Sequence, residues 1–84
     1  MKLETVTVDE NIRVGVAFDK RKVVPMWFMW RDRYYRVKSV AYAWDTSQGV
    51  STLHHYSVTD GVNMYELQFN ATTLDWTLGQ VCAG

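Results

Sequence analysis

Few residues of this 84-residue chain could carry chemistry. His54 and His55 are adjacent, and Cys82 is the single thiol. A metal needs three or four such ligands converging on one point, whereas neighbouring side chains on a strand point to opposite faces, so the two imidazoles cannot share an ion from one strand. A site joining one imidazole to Cys82 and a carboxylate is set against ordinary surface or half-buried histidines, and the expectation is no metal. Ser39, Ser47, Ser51 and Ser57 lack the context of a nucleophile elbow, and Cys82 has no evident activating partner. The glycines are isolated, with no phosphate-cradling cluster ahead of a helix. Asn70-Ala71-Thr72 spells a glycosylation acceptor, yet these types serve equally as turn residues. The expectation is a domain without catalytic residues, cofactor or small-molecule substrate.

The informative constellation is an aromatic and basic segment. Formal net charge is zero, but seven of the nine basic residues (Lys20, Arg21, Lys22, Arg31, Arg33, Arg36 and Lys38) fall between positions 20 and 38, with Asp32 the one acid among them. There VVPMWFMW precedes YYRVKSVAYAW across a short polar break, the pattern of a β-hairpin. A two-residue loop at Asp32-Arg33 would pair Trp30 with Tyr35, Met29 with Arg36, Phe28 with Val37 and Trp27 with Lys38. One face is then Phe28, Trp30, Tyr35 and Val37, a core face. The other carries Trp27, Met29, Arg31, Tyr34, Arg36 and Lys38, where large apolar groups interleave with positive charge. A three-residue loop, Arg31 to Arg33, would exchange the faces and set Met26 and Phe28 beside Arg36 and Lys38. The aromatic and basic face admits three readings. Its rings could merely support the alkyl stems of cations that reach water; it could be a protein contact, as homodimer or with a partner; or it could bind single-stranded nucleic acid, with rings stacking on bases and cations on phosphates.

The elements that position this segment read as strands. Ile12, Val14, Val16 and Phe18 alternate with Arg13, Gly15, Ala17 and Asp19, the period of a strand with one buried face. Val6 and Val8 form an earlier strand, with Asp9-Glu10-Asn11 as the turn between. Pro25 sets its strand at an edge or a bulge. The apolar phase changes between Val37 and Val40, which a bulge near Lys38-Ser39 would repair. Asp45 to Gly49 reads as a loop, Leu53 to Thr59 as a strand closed by Asp60-Gly61, and two further alternating strands flank Asn70 to Thr73. No stretch carries the three-and-four spacing of an amphipathic helix. The expected fold is one all-β domain over 1–84, an antiparallel meander of six or seven strands in a curled sheet or small barrel-like form. Its expected core is Val14, Val16, Phe28, Trp30, Tyr35, Val37, Tyr42, Leu67, Phe69, Trp76 and Leu78.

At the hairpin the chain resembles a family of short, uncharacterised bacterial all-β domains, found alone and beside the polymerase-like protein of DNA-damage mutagenesis cassettes. Pro25, Phe28, Trp30-Arg31-Asp32-Arg33, Tyr35, Val37, Val40 and Trp44 are similar to its central motif, and Tyr56-Ser57-Val58, Met64-Tyr65-Glu66-Leu67 and Trp76 to its later strands. Where this chain has Asp32 the family usually has Gly. The resemblance implies a fold and no catalytic residues, and its setting favours nucleic acid by association alone.

A lone cysteine and an N-terminus, MKLETVTVDE, without an apolar leader core predict a cytoplasmic protein that does not enter membranes. The function expected is a non-enzymatic binding or assembly module acting through Trp27, Met29, Arg31, Tyr34, Arg36 and Lys38. A homodimer or partner protein is favoured, with single-stranded nucleic acid as the alternative.

Overall fold

The computed structural model describes residues 4–83, which form seven strands and no helix. They are β1 (Glu4–Asp19), β2 (Lys22–Trp30), β3 (Arg33–Arg36), β4 (Ser39–Gln48), β5 (Ser51–Thr59), β6 (Met64–Asn70) and β7 (Trp76–Ala83). All pairings are antiparallel, in the order β3-β2-β1-β7-β6-β5-β4. Neighbours in sequence are neighbours in the sheet except at two places: β1 pairs with β7, and β3 does not pair with β4. The fold is a meander whose ends have been joined and whose opening lies between its third and fourth strands.

The long β1 makes this arrangement. Its first part pairs with β7, from Glu4↔Ala83 to Ile12↔Trp76, and its second part with β2, from Arg13↔Met29 to Asp19↔Lys22. One strand thus belongs to two half-sheets, and the sheet curls where it passes from one neighbour to the other. Asp9-Glu10-Asn11, expected as a turn, lies inside this single strand. A bulge between Thr7 and Glu10 absorbs the polar cluster, with Asp9 at φ 51°, a conformation that Asp tolerates better than most residues.

Curling brings the two inner faces together. Phe28, Val58, Leu67 and Leu78 are fully buried, and Tyr65 nearly so. Phe28 lies stacked on Tyr35 at 4.8 Å between ring centroids and meets Tyr65 edge-on at 5.1 Å, which ties the β2–β3 half to the β5–β6 half. Burying a ring of this size stabilises by about 1.5–3 kcal/mol, and the aromatic pairing adds about 0.5–1.5 kcal/mol. Val14, Trp30, Tyr35, Val37, Phe69 and Trp76 line the same side, half-buried.

Four further expectations are corrected. The β2–β3 hairpin turns at Arg31-Asp32, with φ 52° and 62°, and pairs Trp30↔Arg33, Met29↔Tyr34, Phe28↔Tyr35 and Trp27↔Arg36. Both turn residues have positive φ, the twist that two-residue hairpin loops need. The register slides by two residues, an even number, so the two faces stay as assigned and the three-residue loop is excluded. Tyr42 is 71% exposed rather than core, because the bulge sits between Val40 and Tyr42 and turns Tyr42 and Trp44 to the outer face. Val16 also falls short of the core, next to the bulge between Gly15 and Val16. Finally, Asp45 to Gln48 continue β4, and the loop is Gly49-Val50 alone. An edge strand needs no apolar face, so its polar composition reads as loop.

The sheet stays open. The β2–β3 ladder runs back to Trp27↔Arg36, and one further bond, from Val37, follows it. The chain then crosses from one edge to the other: Val37 N donates to Met26 O at 3.0 Å and Lys38 N to Thr59 O at 2.8 Å. Beyond that bridge an opening separates the start of β2 from β4, lined by Val23, Val24, Pro25, Val40, Ala43 and Tyr56. Among the described residues no helix is long and apolar enough to cross a membrane.

Candidate binding surface

The outer face of β1, β2 and β3 is set by the register. Two cross-strand rows run over it, Arg13–Met29–Tyr34 and Gly15–Trp27–Arg36. Trp27 lies against Gly15: a Cβ added there would fall 2.0 Å from Cε2 and Nε1 of the indole. A glycine inside a strand usually weakens it, and here it permits a ring to rest on the backbone. Tyr34 sits beside Trp27, with ring centroids 5.8 Å apart and planes tilted by 33°. Arg36 is directly across from Trp27 and Arg13 across from Met29; both are exposed, and among the described residues neither forms an ion pair.

Four of the six residues expected on this surface therefore meet: Trp27, Met29, Tyr34 and Arg36. The other two point elsewhere. Arg31, in the turn, reaches Glu10, with Nη2 donating to Oε2 at 2.6 Å and Nε to Oε1 at 3.3 Å, while its guanidinium covers Trp30 at 4.8 Å from the ring centroid. The Trp30 indole N–H also donates to Glu10, at 3.1 Å. The Arg31 hydrogen bond, then that of Trp30, holds the Glu10 carboxyl below its ordinary value, and Glu10 in turn raises Arg31. Lys38 runs over the β5–β6 turn, its Cδ 3.4 Å from where a Gly61 Cβ would be, and shares a shallow cleft with Arg36, Val37 and Asp60. Arg13 and Gly15 were not expected on this face. The one signal for them was a glycine at an outward position of an alternating strand; which ring it would meet depended on the β1–β2 register.

The histidines do part to opposite faces. His54 Nδ1 lies 2.7 Å from Asp45 Oδ1 on the inner side, with its ring stacked near Phe69. Here a groove of about 400 Å³ opens between Arg21 in the β1–β2 turn with Lys22 and Val23 of β2 on one side, and Ala43, Asp45 and the Tyr56 and Phe69 rings on the other. Burial, and next the Asp45 charge, push the Tyr56 hydroxyl above its usual value. On the outer side His55 lies stacked on Trp44 at 5.1 Å, has Nε2 2.7 Å from Thr46 Oγ1, and holds Nδ1 3.4 Å from the Glu66 carboxylate without the alignment of a hydrogen bond. Thr5 donates its hydroxyl to Cys82 Sγ at 3.6 Å. Among the described residues no group of three His, Cys, Asp or Glu side chains is placed to hold a metal ion.

Comparison with protein-family models, with curated proteins and with solved structures finds no match to the chain.

Proposed function

We propose that this domain is a non-enzymatic binding module of the cytoplasm, whose outer β1–β2–β3 face docks an acidic segment of a partner protein. The observation that carries the reading is Trp27 pinned against Gly15 between Arg36 and the Arg13–Met29 row, with neither arginine in an ion pair among the described residues. Trp, Tyr, Met and Arg are the types that anchor protein interfaces, and a ring already held in place loses little freedom on binding. Unpaired arginines favour a partner with Asp or Glu beside its own apolar anchor. The test pans a phage-displayed peptide library against the wild type and against Trp27→Ala. Enrichment of acidic peptides with an apolar anchor, lost on Trp27→Ala, is the expected result; enrichment indifferent to Trp27 overturns the reading.

A second reading, single-stranded nucleic acid, is favoured by the two adjacent rings of Trp27 and Tyr34, which offer bases a stacking surface beside cations for phosphates. Anisotropy of a labelled mixed-sequence oligonucleotide at several salt concentrations tests it. Affinity that falls steeply with salt supports it, and no binding at low salt removes it.

A further inference from the structure

The two edges of the open sheet are built differently. At one edge β3 has only four residues and carries Arg33 and Arg36, and β2 beyond it carries Pro25, which lacks an N–H. Short length, cations and proline are the devices that keep a sheet edge from pairing with another chain. The other edge, β4, has ten residues and contains no Pro, Gly, Lys or Arg. Its one charge, Asp45, is held by His54 across the strand pair.

The backbone of β4 is also left with unmet groups. The Gly49-Val50 loop is closed by the pair Gln48↔Ser51. In an antiparallel ladder the hydrogen-bonded pairs alternate, so Gln48, Thr46 and Trp44 aim their backbone groups at β5, and Ser47, Asp45 and Ala43 aim theirs at the open side. β4 is last in the sheet, and no backbone hydrogen bond from another strand reaches these three residues among those described. Their neighbours on the outer face, Tyr42 and Trp44, stand 71% and 41% exposed.

We propose that β4 pairs antiparallel with β4 of a second copy of this chain, about a two-fold axis at Ala43, so that the sheet continues through a homodimer. From Tyr42 to Gln48, past the bulge, the strand supplies donors and acceptors in regular alternation when turned on itself. With Ala43 opposite its own image, Tyr42 of each copy faces Trp44 of the other, an aromatic cross-strand pair that removes both rings from water. Asp45 then faces Ala41 instead of a second Asp45, and a chain of zero net charge does not repel its copy. The opening beside β4, lined by Val23, Val24, Pro25 and Tyr56, leaves apolar surface for the incoming strand to cover. This contact is separate from the hairpin face and does not rest on its reading.

Molar mass by light scattering at tens of micromolar, together with amide exchange followed by NMR, tests the proposal. The expected mass is twice the 9.8 kDa of the chain, with the Ala43 and Asp45 amides protected. Ala43→Pro removes an N–H that points away from β5, and Tyr42→Lys changes an exposed side chain, so the second serves if the first does not fold. Either folded variant should halve the mass and expose the edge amides of β4 that it retains, while Trp27→Ala keeps the dimer. A monomeric wild type overturns the proposal, as does a dimer that survives Tyr42→Lys and is lost on Trp27→Ala.

Discussion

The indole of Trp27 rests on the Cα of Gly15, so near that no side chain at position 15 fits without moving it. Gly15→Val should lift the ring off the sheet. The strand itself should tolerate Val, keeping stability within about 1 kcal/mol of wild type. Capture of acidic peptides should be lost together with the near-ultraviolet circular dichroism of the packed indole. Retained capture would mean that the ring's position is irrelevant to binding.

Core and surface separate within one hairpin. Phe28 is fully buried between Tyr35 and Tyr65, so Phe28→Ala should destabilise by about 3–5 kcal/mol. Trp27, half-buried on the outer face, should cost less than half of that when truncated. Denaturant melts that gave the reverse order would contradict the packing described.

Three arginines near this face should behave differently. Arg13→Ala and Arg36→Ala should weaken ligand binding, and for an oligonucleotide each should reduce the salt slope by about 0.7. Arg31→Ala should leave both unchanged, since its guanidinium is engaged by Glu10. Anisotropy titrations of the three variants side by side decide it.

Asp32 stands at φ 62°, where a side chain is strained and glycine is not. Asp32→Gly should stabilise the domain by less than about 1 kcal/mol, the relief of about 1–2 kcal/mol of left-handed strain being offset in part by about 0.4–1 kcal/mol of added freedom in the unfolded chain, seen as a higher melting midpoint. A lower midpoint would show that the Asp32 side chain supports the turn in a way its backbone does not reveal.

The Asp60 carboxylate caps the β5–β6 turn, accepting from the N–H of Val62 and Asn63 and from the Tyr65 hydroxyl, each at 2.9 Å. Burial works against its charge, but the backbone N–H of Asn63 and Val62 and then the Tyr65 hydroxyl together outweigh it and hold the carboxyl below its ordinary value. A folded value below the unfolded one means that the stabilisation is complete above the unfolded value, near pH ~4, and is lost as pH falls through the folded value. Asp60→Asn should therefore be less stable than wild type by about 1 kcal/mol at neutral pH, with the gap closing in acid. Melts from neutral pH downward measure it; a constant gap would mean that the charge contributes nothing.

Alternation alone determined much of this protein. It marked Leu67 and Leu78 as core, separated Trp27 from Phe28, sent His54 and His55 to opposite faces, and excluded helix. Each of these follows from the two-residue period of a strand, which is local and survives an even slide in register. Which of Trp27 and Phe28 is core waited on the turn. Tertiary structure decided what depends on partners distant in the chain. Pairing Glu4 with Ala83 made one strand of an expected two, and Arg13 and Gly15 joined the hairpin face only because β1 lies against β2 in one register. Glu10, a residue of an expected turn, drew Arg31 off that face. The bulge after Val40 turned Tyr42 outward and left β4 a bare edge. Those outcomes come from burying combined faces of strands far apart in sequence, and a local pattern of apolar and polar residues holds no record of which strands will meet.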